Sequence, residues 1–538
     1  IRGRTVYDML PAYKATKRGE LKSYKLDSVA EAELGENKID HTGESIWEMW
    51  NENLDLLLRY NLHDVRLVVE IDRKANIIGF RRSIAHAVGS DIAEAQNNND
   101  FIKMMVRRKL FDKGLIGPTS RHEKKDKKYE GGHVHDAYCG VAENVVGMDL
   151  ESLYPMTMWM LNASPEVRVD ESYEGPVACA PNGARFRLDE VGLFAELVDE
   201  ALELKAEAKA ARNAATDDNE RKKLSEEYDV RKTIVNSLYG VIGWEHFFLY
   251  DELTAEAVTT MGQAVIKKTT EFLNTQEVAE VIYGDTDSNY VRFPESWSQD
   301  HVLEAAGRLR RELNEVIYPA LASEWGMGGR ECRFNIEVES FAPKFFQYGK
   351  KKKYAMHVTW KDGKETDKLK IVGMHSNRSD VAELTEKLQK RVLESILGVR
   401  DEEVAEIVFA AGKELSTGRD LESMGIPTAV GKPLNEYSES TIQRKVVQFS
   451  NAVLGTNFGQ GSKPKRVYVQ AGTIPEYPEV DVLGFEDAEE FPENIRIDSG
   501  RMIQTLIVNP LTPILEAVDI DPDAALKGQV QKDLSAFF

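Results

Sequence analysis

The run Val281-Ile282-Tyr283-Gly284-Asp285-Thr286-Asp287-Ser288-Asn289-Tyr290-Val291 sets two β-type apolar stretches on either side of a short acidic tip, the pattern of a hairpin. Upstream, Val145-Val146-Gly147-Met148 is a second apolar run that ends on an acid, Asp149, before Tyr154-Pro155 opens a turn or helix. Neighbouring strands would bring Asp149 and Asp287 close together, where like charges repel, so something cationic must sit between them. Two divalent ions about 3.5–4 Å apart meet that need, one activating an attacking hydroxyl and the other stabilising a leaving pyrophosphate. Magnesium suits an oxygen-ligand site that also takes substrate phosphates. Taken singly, Asp149 reads more readily as a helix cap and the acids at 285–287 as a solvated turn. Only the pair of segments points to phosphoryl chemistry.

A basic constellation accompanies the acidic one. Lys232, Asn236 and Tyr239 fall at i, i+4 and i+7, on one face of a helix ending at Gly240, and Lys205, Lys209 and Arg212 repeat the spacing on the helix before it. Two antiparallel helices could present these lysines to one triphosphate. The chain has no GxxxxGK[ST] loop, so side-chain cations would hold the phosphates. Further on, Lys350-Lys351-Lys352-Lys353-Tyr354 follows Lys344, Phe345, Phe346 and Tyr348; basic residues interleaved with aromatics suit a nucleic-acid backbone, and equally a charged edge strand. At the terminus, Gln531, Leu534, Phe537 and Phe538 form a Gln-x-x-Leu-x-x-Phe-Phe tail suited to docking in a groove on a partner.

The 538 residues suggest about three to five domains. Hydrophobic residues at 42% exclude global disorder. No signal peptide and no apolar run of about 18 residues is evident, so the expectation is a cytoplasmic, nucleoid-associated protein with no membrane. Cys139, Cys179 and Cys332 form no CxxC pair and read as reduced core residues rather than zinc ligands. A net charge of −21 has the wrong sign for wrapping a polyanion, so binding would depend on local basic clusters. An acidic exterior around basic grooves suits a salty cytoplasm, and predicts best activity at high salt. Opening on Ile1, the chain reads as a fragment that starts inside a domain. A strand is expected at Thr5-Val6-Tyr7, a helix bearing Trp47, Trp50, Leu54, Leu57 and Leu58, a charged linker at Arg121–Lys128, and long helices over 190–228 and 229–243.

Together these segments resemble the family B DNA polymerases, the archaeal replicative type in particular. Asp149-Leu150-Glu151-Ser152-Leu153-Tyr154-Pro155 is similar to the family's motif A, Lys232–Gly240 to motif B and Tyr283–Ser288 to motif C, in the right order. Tyr129-x-Gly131-Gly132 resembles the linker motif between nuclease and polymerase domains, Lys351-Lys352-Lys353-Tyr354 the primer-gripping motif, and the terminal octet a sliding-clamp-binding box. The resemblance implies a multidomain α/β (α+β) right hand. A remnant of an RNase H-like 3′–5′ exonuclease domain would span 1–75, and connecting helices and a linker 76–130. The palm would take 131–190 and 244–372, the fingers 191–243, the thumb 373–520 and a clamp-binding tail 521–538.

It further implies metal ligation by Asp149 and Asp287 with the Leu150 carbonyl, and Asp285 as a supporting acid. The ions would be two Mg²⁺, for which Mn²⁺ can substitute. Tyr154 would lie under the incoming sugar and exclude a 2′-hydroxyl. Lys205, Lys209 and Lys232 would hold the triphosphate over the Ser152 and Leu153 amides, and Asn236 and Tyr239 would line the nascent base pair. DNA would meet Tyr129, Gly131, Gly132, Lys351, Lys352, Lys353, Tyr354 and Arg378. In Gly373–Asp380 only Arg378 and Asp380 fit the family's pattern, which usually has a Glu and paired arginines there. Tyr60-x-x-x-Asp64 resembles the third nuclease motif, and with the first two motifs absent no proofreading is expected from this chain alone. Expected partners are primer-template DNA, dNTPs, a sliding clamp and a separate N-terminal polymerase piece. The alternative is a non-catalytic, clamp-tethered DNA-binding scaffold derived from a polymerase.

Overall fold

The computed structural model describes residues 5–16, 21, 23–39, 46–93, 97–119, 131–374 and 378–528. They fall into two compact units. One takes the described residues of 1–18, 24–135 and 146–339, and the other those of 19–23, 136–145 and 340–538.

The first unit opens with helices α1 (Met9–Thr16), α2 (Leu26–Leu34), α3 (Ile46–Glu52), α4 (Leu54–Ala75), α5 (Ile77–Val88) and α6 (Asn98–Asp112). Residues 5–8 carry no strand, and Val6 is largely exposed, contrary to the sequence expectation. The helix expected around Trp47–Leu58 is two, because the Asn53 side chain accepts from the Leu56 N–H and caps a new start. Trp47 and Trp50 on α3 are exposed, and Leu54, Leu58, Leu62, Val65 and Val69 form an exposed apolar line along one side of α4.

Strand β1 (Cys139–Leu150) belongs to both units. Its last residues enter the first unit's sheet, whose order is β5 (Glu280–Asp285), β6 (Ser288–Arg292), β1, β7 (Ile336–Tyr348). Between these strands lie α7 (Leu153–Leu161), the small sheet β2 (Arg168–Val169), β4 (Arg185–Arg187), β3 (Val177–Cys179), and three long helices, α8 (Leu193–Ala214), α9 (Asp218–Ile242) and α10 (Glu252–Asn274). Helices α11 (Gln299–Glu312) and α12 (Tyr318–Glu324) precede β7.

The α8/α9 turn is at 215–217, not near 228. Asp217 accepts from the Glu220 N–H, and Asp218 and Glu220 sit in the first turn, where carboxylates favour a helix start. The root of α8 hangs on Asn162, fully buried at the end of α7. Its amide donates to the Arg187 and Glu190 carbonyls at 2.7 and 2.8 Å and accepts from the Gly192 N–H at 2.9 Å. Ser164 Oγ accepts from the Phe194 N–H at 2.8 Å.

In the second unit the start of β1, the remainder of β7, β8 (Tyr354–Lys361) and β9 (Lys364–Val372) form a sheet in that order. β8 pairs antiparallel with both β7 and β9. Helices α13 (Glu383–Ile396), α14 (Val404–Thr417), α15 (Leu421–Met424), α16 (Ile442–Val453), α17 (Ser499–Ile503), α18 (Asn509–Glu516) and α19 (Pro522–Leu526) follow, with the antiparallel sheet β10 (Ile426–Pro427), β11 (Lys465–Tyr468), β12 (Val482–Phe485). They share a core that includes Val392, Leu393, Val467, Leu483, Phe485, Met502 and Ile507.

All three cysteines are free, but none is a core residue: Cys139 is exposed, and Cys179 and Cys332 are half-buried. No described helix is long and apolar enough to cross a membrane.

Candidate active site

The acidic tip forms as the sequence predicts. β5 and β6 pair antiparallel, with Gly284 opposite Asn289 and Asp285 opposite Ser288, so Thr286 and Asp287 make the turn. Thr286 sits at φ 62°, a left-handed conformation costing a β-branched residue roughly 1–3 kcal/mol. Its surroundings hold it there. The Thr286 N–H donates to the His133 carbonyl at 2.8 Å, the Asp287 N–H to the Asp285 carbonyl at 2.7 Å, and Thr286 Oγ1 to Asp285 Oδ1 at 3.0 Å. Residues 133–135 thus lie along the hairpin, with a bridge from Val134 to Asp285 and the His135 N–H on the Gly284 carbonyl at 3.0 Å.

Gly132 adjoins the same tip. A Cβ there would lie 2.7 Å from Thr286 Cγ2 and 2.9 Å from the Tyr154 hydroxyl, so only glycine fits. Gly131 meets nothing, and its carbonyl accepts from Gln263 Nε2 at 2.6 Å. Tyr129 lies outside the described residues. Nothing in the spacing of Gly-Gly-His-Val-His marked it as the brace of the hairpin; the alternation of a short strand was the one available signal.

β6 and β1 are neighbours, and the Leu150 N–H donates to the Asp287 carbonyl at 2.8 Å. Asp149, near the end of β1, and Asp287, in the turn that leads into β6, are therefore held side by side, both half-buried, with Asp285 at the end of β5. Among the described residues no group of three or more His, Cys, Asp or Glu side chains forms a metal cage. Two carboxylates with the remaining positions open to water and phosphate oxygens are the donor set that magnesium takes.

After β1 the chain turns sharply into α7. The Glu151 N–H donates to the Asn335 carbonyl at 2.9 Å, and Ser152 takes φ 50°. Lys205 of α8, only 8% exposed, donates from Nζ to Ser152 Oγ at 2.9 Å and lies 3.6 Å from the Glu151 carboxylate. The Tyr154 ring stacks on Tyr239 of α9, with centroids 4.7 Å apart and planes at 29°. Lys209 and Lys232 are half-buried, Asn236 is exposed, and Leu153 is buried. A cleft of ≈ 550 Å³ is lined by Glu151, Lys205, Lys209 and Arg333 among others. Arg333 stacks on Trp159 at 3.8 Å and pairs with Asp199. Glu151 and Arg333 were not picked out from sequence.

In the second unit the lysine run forms the turn from β7 to β8 rather than a strand. Lys351 and Lys352 are exposed, Lys352 at φ 60°, and Lys351 lies 3.3 Å from Asp136. Buried Gln347 shapes the turn, donating to the Lys350 carbonyl at 3.1 Å and accepting from the Tyr138 N–H at 3.0 Å. Tyr354, buried beside half-buried Lys353, stacks on Phe345 at 5.4 Å. Arg378 is matched by Asp380 through two bonds of 2.8 and 2.6 Å.

On α4, Asp64 accepts an ion pair from Lys38 at 2.8 Å, and Lys38 also bonds the Tyr60 hydroxyl. Burial alone would lower the Lys38 pKa, but Asp64 and Tyr60 outweigh it and hold it above the ordinary lysine value. Gln531, Leu534, Phe537 and Phe538 lie outside the described residues.

An acid-bearing hairpin thus lies beside the end of an acid-bearing strand, and Lys205 of α8 reaches the turn just beyond it. The sequence profile of DNA polymerase family B matches residues 93–459, and the chain belongs to that family. It is 27% identical over 426 residues to a DNA polymerase of Thermococcus gorgonarius, covering 77% of this chain and 52% of the relative. It is similarly 27% identical over 520 residues to DNA polymerase 2 of Aeropyrum pernix (92% and 60%), and 26% over 546 residues to a DNA polymerase of Archaeoglobus fulgidus (97% and 64%). The chain thus spans about half to two thirds of the length of these relatives.

Proposed function

We propose that this chain carries the polymerising centre of a DNA-dependent DNA polymerase, adding dNTPs to a primer 3′-hydroxyl on a DNA template. The observation that carries the reading is the meeting of three segments far apart in sequence: the Asp149 strand end paired to the Asp287 turn, and Lys205 of α8 bonded to Ser152 just beyond Asp149. In right-hand terms the sheet bearing the aspartates with α7, α10, α11 and α12 is the palm, α8 and α9 are the fingers, and the helices and small sheet from α13 onward are the thumb. Residues before 75 are the part akin to the exonuclease.

Asp149, Asp287 and the Leu150 carbonyl would hold magnesium, with manganese as a substitute, and Asp285 supports them. When bound, the ions would lower the pKa of the primer hydroxyl and neutralise charge on the leaving pyrophosphate. Lys205, Lys209 and Lys232 hold the triphosphate electrostatically, over the Ser152 and Leu153 amides. Tyr154, braced by Tyr239, forms the floor under the sugar and disfavours ribonucleotides, and Asn236 and Tyr239 line the new base pair. Gly131, Gly132, Lys351, Lys352, Lys353 and Tyr354 meet the DNA. Arg378 contributes less, its charge being matched by Asp380. The terminal Gln531–Phe538 octet is the docking tail for a sliding clamp.

Primer extension with magnesium and dNTPs across a salt series, beside Asp287→Ala, tests the reading. Extension by the parent and none by the variant is the expected outcome. Equal extension by both would refute the assignment. Primer-template binding with no extension at any salt would favour the scaffold.

A further inference from the structure

The three lysines of the proposed triphosphate site are not equivalent. Lys209 and Lys232 carry no ion pair among the described residues, whereas Lys205 is paired with Glu151, whose carboxylate makes no second ion pair among them. The pairing is built in by the backbone. Glu151 is fixed through its N–H on the Asn335 carbonyl, and the left-handed Ser152 turns the chain so that two consecutive side chains both meet Lys205. Lys205 is nearly sealed, with a side-chain exposure of 10%, while Glu151 at 34% reaches solvent along the cleft. The carboxylate is therefore the solvent-exposed partner and the ammonium the buried one.

We propose that Glu151 stands in for a phosphate at Lys205 before nucleotide binds and competes with the incoming triphosphate for it. This rests on the reading of Lys205 as a triphosphate ligand. A carboxylate offers the same charge sign and acceptor oxygens as a phosphate, so it satisfies a buried ammonium that would otherwise be unpaired. A nucleoside triphosphate with several negative charges displaces it, and an anion of low charge does so poorly. Glu151 is thus a gating residue that sets the nucleotide KM.

The test is steady-state single-nucleotide incorporation by the full chain in parent, Glu151→Gln, Glu151→Asp and Lys205→Met forms and the Glu151→Gln/Lys205→Met double variant. Folding is checked by thermal melting. Glu151→Gln should lower the dNTP KM about 2- to 5-fold near 0.1 M salt, the range for a partly exposed ion pair, with kcat changing less. The gain should fade as ionic strength rises. Glu151→Asp, which keeps the charge on a shorter arm, should fall between. In the Lys205→Met background Glu151→Gln should change nothing further. An unchanged or raised KM in Glu151→Gln overturns the gate. An equal drop in both backgrounds also overturns it, showing general charge repulsion only. A parent that neither binds dNTP nor extends primer removes the polymerase reading and the gate with it.

Discussion

Gly132→Ala should cripple turnover while leaving the protein folded. The added Cβ would stand 2.7 Å from Thr286 Cγ2, 2.8 Å from Thr286 Oγ1 and 2.9 Å from the Tyr154 hydroxyl. None of these atoms yields easily: Thr286 is short and held left-handed by three hydrogen bonds, and Tyr154 is stacked on Tyr239. Going from 2.7 Å to the 3.4 Å of ordinary contact moves the tip by about 0.7 Å. Asp287 is the next residue and shares the displacement. Misplacement of about 1 Å at a reacting centre can cost about 10²-fold, so a loss of roughly 10- to 50-fold in kcat is expected. Overpacking should cost only about 1–3 kcal/mol, a melting shift of several degrees. The assay is single-turnover extension at saturating dNTP, paired with calorimetry. Gly131→Ala, whose Cβ meets nothing, is the control and should melt as the parent does. Parental turnover in Gly132→Ala, with its melt unshifted, would mean that the tip moves freely and is not braced by residues 131–135.

Lys38→Met should destabilise the first unit by about 1 kcal/mol, because Asp64 loses its partner in a half-buried setting. Lys38 is held above its ordinary pKa, so the contribution is fully present below about pH 10.5 and lost as pH rises through the folded value. The gap in denaturation midpoint should stay level from pH 7 to 10; a gap that closes on acidification in that range would be inconsistent with the pair. Asn162→Ala strands two carbonyls and the Gly192 N–H at the root of α8 and should cost about 2–4 kcal/mol by urea unfolding. A cost under 0.5 kcal/mol would show those groups finding water. In timed alkylation followed by mass spectrometry, exposed Cys139 should react first, and Cys332 last, because burial pushes its thiol pKa up. Faster labelling of Cys332 than of Cys139 would refute its half-buried placement.

The elements that carry charge in a fixed spacing were legible in sequence. The hairpin at 280–292, the strand ending at Asp149 and the lysine faces of α8 and α9 all stand where their patterns put them. What was not legible depended on context. The α8/α9 turn went unseen because charged helix formers run through 215–217, and only the Asp217 cap marks the break. The exposure of Trp47, Trp50, Leu54 and Leu58 was not legible because periodicity reports a face, not what covers it. The pull of Glu151 on Lys205 was invisible because it joins residues 54 apart (205 − 151) through a backbone turn that no propensity predicts.

The brace along the acidic turn has a kinetic side. Thr286 is a poor choice for a free-standing hairpin tip, so this turn forms weakly until residues 131–135 lie against it. The Gly131 carbonyl meets Gln263, 132 residues away in the chain, so closing that brace means closing a long loop. Contacts of that separation form late in folding. A nascent or partly unfolded chain therefore holds Asp149 and Asp287 apart, and the proposed pairing of the two carboxylates is completed only as that long loop closes.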